Sequence, residues 1–203
     1  MYRHVIVTAL VVAAGPAFAQ GPTAVRSLLE IRQDDVVTQQ WDLSCGAAAL
    51  TTILNYQFGD AITEREVAIG LMQRAEYVEN PELVQLRQGF SLLDLKRLVD
   101  ERGYEGVGFG QMTLESLLEY APAITPIRTN GYNHFVVVRG MAGDRILLAD
   151  PAWGNVTKTR DDFERAWLHY GELGHIAFVV TRGGTLAPPG ALAPEPDHFL
   201  TFN

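Results

Sequence analysis

The sequence predicts an α+β fold, with helices in the first half of the chain and an antiparallel sheet in the second. Up to about residue 120, apolar residues recur at helical spacing. After that point, most apolar residues fall in short runs bounded by glycine, asparagine and aspartate, as in strands. Helices and strands that occupy separate runs favour an α+β arrangement over alternating βαβ units.

Helices are predicted from apolar spacing together with residues that can cap a helix. Two of them begin with capping boxes, Thr63 with Glu66 and Ser91 with Asp94. The stretch 76–89 is polar and contains Pro81, which indicates a loop or a short helix. The predicted helices are 44–56, 63–74, 91–102, 113–120 and 161–169.

Strands are predicted where residues of high β propensity cluster, at 107–110, 123–128, 134–139, 145–150 and 176–181. Gly143-Asp144 predicts a tight hairpin between the third and fourth of these strands. Pro126 lacks an N–H group, so the strand 123–128 is expected at an edge of the sheet. A short extended segment is expected at 36–40.

The chain divides into four predicted parts. Residues 1–19 match a signal peptide, with Arg3, an apolar run and the small-x-small site Ala17-Phe18-Ala19. We expect a lead-in at 20–35, the folded domain at 36–182 and a tail at 183–203 that is mobile or wrapped on the surface, because it holds four prolines. The mature protein is then expected in the periplasm, without stable membrane insertion.

Composition narrows the possible partners. The formal net charge of -8 argues against non-specific nucleic-acid binding, which needs basic patches. A single cysteine with scattered histidines does not supply a four-ligand metal site, and no cofactor is predicted. Cys45 itself is unusual, because exported proteins usually carry cysteines in disulfide pairs. It is an inert buried thiol, an intermolecular bridge or a reactive group.

The position of Cys45 favours reactivity, because a loop delivers it to the first turn of the helix 44–56. Free N–H groups and the helix dipole favour a negative charge there. A thiol nucleophile also needs a base and a group that orients the base. His134 begins one predicted strand and Asp150 ends the next, so the hairpin would place both at the same end. Alone, each could be a surface histidine or a turn residue.

Three blocks of sequence resemble the bacteriocin-processing, double-glycine leader peptidases, which have a papain-like fold. They are Gln39 followed after five residues by Cys45-Gly46, the block His134-Phe135-Val136-Val137-Val138, and Asp150-Pro151-Ala152-Trp153-Gly154. The chain departs from most of the family in carrying Ser44, not Asp, before the cysteine. It looks most like stand-alone exported members, the peptidase-like components of Fap functional amyloid secretion systems.

The resemblance implies a role for each of these residues. Cys45 is the nucleophile, His134 the base and Asp150 the residue that orients the base. Gln39, with Gln40 as the neighbouring alternative, supplies an amide donor to the oxyanion. The implied substrate is a peptide bond after small residues such as glycine, in a secreted protein or leader. Amyloid subunits and secretion components are the expected partners.

Two other functions remain open at the level of sequence. The domain could bind peptides as an adaptor or chaperone of a secretion system without cleaving them. The same triad could also serve a transpeptidase or an amidase, because it activates acyl transfer in general.

Overall fold

The computed structural model describes residues 26–200, so the predicted signal peptide at 1–19 lies outside the described residues. None of the helices within 26–200 is long and apolar enough to cross a membrane. The α-helices are α1 (Leu28–Arg32), α2 (Cys45–Tyr56), α3 (Glu64–Met72), α4 (Ala75–Glu79), α5 (Leu83–Leu86), α6 (Leu92–Glu101), α7 (Leu114–Glu119) and α8 (Arg160–Ala166). The strands are β1 (Glu105–Phe109), β2 (Ala123–Thr129), β3 (Tyr132–Ala142), β4 (Arg145–Asp150), β5 (Gly154–Thr159) and β6 (Ala177–Thr181).

The strands form one antiparallel sheet in the order β1-β6-β2-β3-β4-β5, which confirms the α+β class. Apolar side chains of α2, α3 and α6 pack on one face of this sheet, and those of α7 and α8 on the other. Side chains alternate between the two faces of a strand, so Val137 packs with the first group and Val136 and Val138 with the second. The sheet is therefore buried between two helical layers.

The predicted capping boxes form as expected. The Thr63 hydroxyl accepts the Glu66 N–H at 3.2 Å, and the Ser91 hydroxyl accepts the Asp94 N–H at the same distance. The stretch 76–89 contains two short helices, α4 and α5. The segment 36–40 is not part of a strand.

The expectation that Pro126 puts its strand at the edge is wrong. β2 lies inside the sheet between β3 and β6, but it pairs with β6 only around Ile124. The Pro126 carbonyl accepts the Leu168 N–H at 3.0 Å, on the side away from β3. The N–H and C=O of a strand residue point to the same side, so the proline nitrogen also points away from β3. Pairing with β6 has ended at this position, so the missing N–H costs no hydrogen bond between strands.

The edge beside β4 is formed instead by β5, a strand that the sequence did not predict. It pairs with β4 from Arg145↔Thr159 to Asp150↔Gly154. Gly154 and Asn155 open this segment, and both residues are typical of turns. Their turn character masked the strand.

The segment 183–200 lies against the domain. Arg139 is 1% exposed and donates to the carbonyls of Leu192 at 3.0 Å, Ala191 at 3.0 Å and Asp34 at 3.2 Å. Leu192 itself is fully buried. A buried guanidinium with five donors can pair several backbone carbonyls at once, so it joins this segment to the end of the lead-in.

Candidate active site

Cys45 is the first residue of α2, and Ser44 is its N-cap. Small residues follow it, which allows α2 to approach β3 closely: a Cβ on Gly46 would lie 3.3 Å from the Phe135 ring. His134 precedes Phe135, so the packing of α2 on β3 brings the nucleophile and the base of the sequence prediction to one place.

Burial sets the acidity of the Cys45 thiol. The side chain is 7% exposed, and this desolvation raises its pKa. Backbone hydrogen bonds from Phe135 and Gly46 oppose the rise, and the charge of Asp150 adds to it. The helix N-terminus favours the thiolate, as the sequence suggested, but loss of water opposes it more strongly. A thiol whose pKa is raised in this way needs a base to become a nucleophile.

His134 is held by the backbone of β3, where it pairs with Ile127 of β2. Its Nε2 lies 3.2 Å from Asp150 Oδ2. The atoms are within ion-pair distance, but the N–H is not aimed along a hydrogen bond, and Nε2 has no other partner among the described residues. Because Nε2 faces the carboxylate, Nδ1 is the ring nitrogen that remains available to another group.

Asp150 ends β4 and is 2% exposed. Its Oδ1 accepts the N–H of Ala152 at 2.8 Å, which leaves Oδ2 for His134. The β3–β4 register sets Val137 opposite Ala149, so the hairpin at Gly143 brings His134 and Asp150 to the same end. The structure thus places the His134 imidazole and the Asp150 carboxylate within ion-pair distance of each other.

Cys45 and His134 line one cleft of about 320 Å³. Its other lining residues are Arg87, Gln88, Phe90, Ser91, Leu92, Pro126, Asn133, Phe135, Leu168, Tyr170 and Ile176. A second pocket of about 370 Å³ contains Asp150, Arg32, Trp153 and Lys158 but neither Cys45 nor His134. The first cleft is the one that brings together the Cys45 thiol and the His134 imidazole.

Gln39 lies outside the lining of this cleft, on the loop that leads to Cys45. Its backbone N–H donates to the Pro151 carbonyl at 2.8 Å, and its side-chain amide donates to the Trp41 carbonyl at 3.0 Å. The first bond ties the loop to the residue after Asp150. Gln40, the alternative, has an exposed side chain.

Glu64 was missed by the sequence analysis, which treated it only as part of a helix start. Its side chain is 2% exposed and lies beneath the loop before Cys45. It accepts the Gln40 N–H at 2.9 Å and the Ser44 hydroxyl at 2.5 Å. The capping-box spacing in the sequence explains its exposed neighbour Glu66, but no sequence signal indicates that Glu64 is buried.

The sequence model of the Peptidase C39 family matches residues 33–171. The chain belongs to this family. The "Probable functional amyloid protease FapD" of Pseudomonas aeruginosa is 35% identical over 172 residues, covering 85% of this chain and 72% of that protein. The protein of the same name from Pseudomonas fluorescens is 37% identical over 145 residues, covering 70% of this chain and 61% of its own.

Solved structures of peptidase domains share the fold. A "double glycine motif protease from AMS/PCAT transporter in complex with the leader peptide" is similar with a TM-score of 0.56 and 24% identity, covering 74% of this chain and 95% of that one. The peptidase domain of Streptococcus ComA gives a TM-score of 0.56 at 16% identity, covering 72% and 97%. The fold is therefore that of C39 double-glycine peptidase domains, which are papain-like.

Proposed function

We propose that the protein hydrolyses peptide bonds with a Cys45–His134–Asp150 triad. One observation carries this assignment: Cys45 and His134 line the same cleft, and the Asp150 carboxylate lies 3.2 Å behind the imidazole. A buried neutral thiol, a base with one nitrogen facing the cleft and a carboxylate at the other nitrogen supply the parts that thiol-based acyl transfer needs.

The proposed reaction has two steps, acylation of Cys45 and hydrolysis of the acyl-enzyme. His134 takes the thiol proton as the sulfur attacks the scissile carbonyl, and the imidazolium then returns the proton to the leaving amine as the C–N bond breaks. The acyl group remains on Cys45 as a thioester. Water attacks this thioester, His134 takes its proton, and the thiol is restored when the peptide acid leaves. Asp150 stabilises the imidazolium formed in each step.

Gln39 is proposed as the side-chain donor to the oxyanion. An amide nitrogen carries two hydrogens, so the bond from Gln39 to the Trp41 carbonyl leaves one N–H for substrate. The backbone N–H of Cys45, at the start of α2, is the second donor. Removing one such donor costs about 2.7–4 kcal/mol of transition-state stabilisation in other hydrolases.

The proposed substrate is an exported protein or leader cut after small residues, in the periplasm and in an amyloid-secretion context. The names of the relatives support two of these features: a probable functional amyloid protease supports the amyloid context, and a double glycine motif protease supports cleavage after small residues. Phe135 lines the cleft with Cys45 and packs beside Gly46, so we expect its ring to limit the size of the substrate side chain there.

Purified protein tests the chemistry. Two peptides that differ only in having glycine or leucine before the cut are compared. The protein should cleave the glycine peptide and not the leucine peptide. Cys45→Ala should abolish turnover while leaving peptide binding intact. Equal cleavage of both peptides contradicts the size limit, and undiminished cleavage by Cys45→Ala contradicts the nucleophile.

The natural substrate is found by N-terminal sequencing of exported proteins from wild-type and Cys45→Ala cells. A protein whose N-terminus is trimmed only in wild-type cells is the substrate. Identical N-termini, with a secretion phenotype that Cys45→Ala leaves unchanged, would favour an adaptor.

A further inference from the structure

The carboxylate of Glu64 is buried without a cation. The side chain is 2% exposed, and no ion pair to Glu64 exists within residues 26–200. Its partners are two polar groups of one loop: the Gln40 N–H at 2.9 and 3.2 Å from the two oxygens, and the Ser44 hydroxyl at 2.5 Å. A buried charge is tolerated only when hydrogen bonds compensate it, so these bonds are strong constraints on the loop.

Each of these two partners is next in sequence to a residue that the proposed mechanism uses. Gln40 directly follows Gln39, and Ser44 directly precedes Cys45 and is the N-cap of α2. One carboxylate therefore fixes the loop at both ends, beside the side-chain donor and beside the nucleophile.

The loop between these ends does not hold its shape by regular structure. Leu43 adopts a φ of +67°, a conformation that costs energy for a side chain of this kind. The Ser44 hydroxyl and the Gln39 amide both lie within hydrogen-bond distance of the Trp41 carbonyl, at 2.7 and 3.0 Å. Such a strained turn persists only when its surroundings determine it, and the buried Glu64 carboxylate bonds to the residues on both sides of the turn, Gln40 and Ser44.

We propose that Glu64 is a positioning residue for the oxyanion site. It acts through Gln40 and Ser44, holding the Gln39 amide and the first N–H groups of α2 at a fixed separation. This inference rests on the proposed function. It predicts that loss of the carboxylate impairs stabilisation of the oxyanion more than it impairs the thiol itself.

The test compares Glu64→Gln and Ser44→Ala with Glu66→Gln as a matched control. Glu66 is a carboxylate of the same helix that bonds to Thr63, so its loss weakens the start of α3 without touching the loop. Three quantities are measured: kcat and KM on a fluorogenic peptide with Gly-Gly before the cut, affinity for a peptide aldehyde ending in glycinal, and the rate of Cys45 alkylation by iodoacetamide. The aldehyde forms a hemithioacetal whose oxygen occupies the oxyanion position, whereas alkylation needs no such site.

Glu64→Gln and Ser44→Ala should lower kcat at least about tenfold, a part of the roughly 100- to 1,000-fold lost when a whole donor is removed. Aldehyde affinity should fall by a similar factor, with KM and the alkylation rate within about twofold of wild type. Glu66→Gln should leave all of these near wild type. Ser44→Ala keeps the carboxylate and serves if Glu64→Gln does not fold.

If the folded variants keep wild-type kcat and aldehyde affinity, the inference about Glu64 is overturned, while the proposed function stands. A parallel loss of kcat and alkylation, shared by Glu66→Gln, also overturns it, because that pattern reports general loosening of the helix. A wild-type protein that neither cleaves the peptide nor binds the aldehyde contradicts the proposed function itself, and the inference with it.

Discussion

The strands that carry His134 and Asp150 differ from the loop that leads to Cys45 in what fixes their positions. His134 and Asp150 stand on β3 and β4, whose register is set by backbone pairing from Val137↔Ala149 to Ala142↔Arg145. The loop before Cys45 is fixed by side chains, chiefly the buried Glu64. The positions of His134 and Asp150 should therefore tolerate changes around them, while the loop before Cys45 should be sensitive to a single substitution.

His134→Ala is the change with the largest expected effect. We expect kcat to fall about 100- to 10,000-fold, the range for loss of a general base, with little change in thermal stability. The strand should persist because backbone bonds hold it. Steady-state kinetics and thermal melts measure both quantities.

His169→Ala is the control, since this histidine is exposed and lies outside the cleft lining. If His134→Ala unfolds, the sheet depends on this side chain, which contradicts the view that backbone pairing fixes the strands.

Arg139→Met removes the buried guanidinium of β3. It tests whether this side chain, unlike that of His134, is needed for stability. We expect the free energy of unfolding to fall by about 3 kcal/mol, since each buried carbonyl left unpaired costs roughly 1–3 kcal/mol. Segment 183–200 should become sensitive to limited proteolysis. Denaturant titration gives the energy, with Arg128→Met on the exposed part of β2 as control. Equal stability of the two variants would refute the role of Arg139.

Gly154→Ala sharpens the comparison at the turn after Asp150. Gly154 has a φ of +79°, and an added Cβ would meet the Arg32 carbonyl. Gly143 has a φ of +59° with open space around it, so Gly143→Ala isolates the backbone strain. We expect Gly143→Ala to cost about 1–2 kcal/mol and Gly154→Ala about 1–3 kcal/mol more, from the clash. If both variants lose the same free energy of unfolding in denaturant titrations, α1 moves away from the added Cβ at no cost.

The pH dependence of thiol alkylation is the smallest expected effect. Because burial raises the Cys45 pKa, the thiolate should appear at higher pH in the folded protein than in the same chain unfolded in urea. The chain has a single cysteine, so labelling reports this thiol alone. A folded midpoint below the unfolded one would show that His134 stabilises the thiolate in the resting protein.

The sequence by itself determined the helices with capping boxes, most of the strands, and the blocks around Cys45, His134 and Asp150. These features depend on local propensity and on residue spacing, which a single chain displays. It did not reveal the interior position of β2 or the existence of β5, because both depend on which strand lies alongside.

Only the tertiary structure decided the burial of Cys45 and the contacts of Glu64. The helix N-terminus visible in the sequence favours the thiolate, but the desolvation that opposes it arises when α2 packs against β3. Glu64 and Glu66 both lie in the first turn of α3, and the sequence marks only Glu66, as the capping partner of Thr63. Folding buries one of them beneath the loop and leaves the other in water. Burial depends on long-range contacts, and the physical chemistry of a charged or nucleophilic group follows from it.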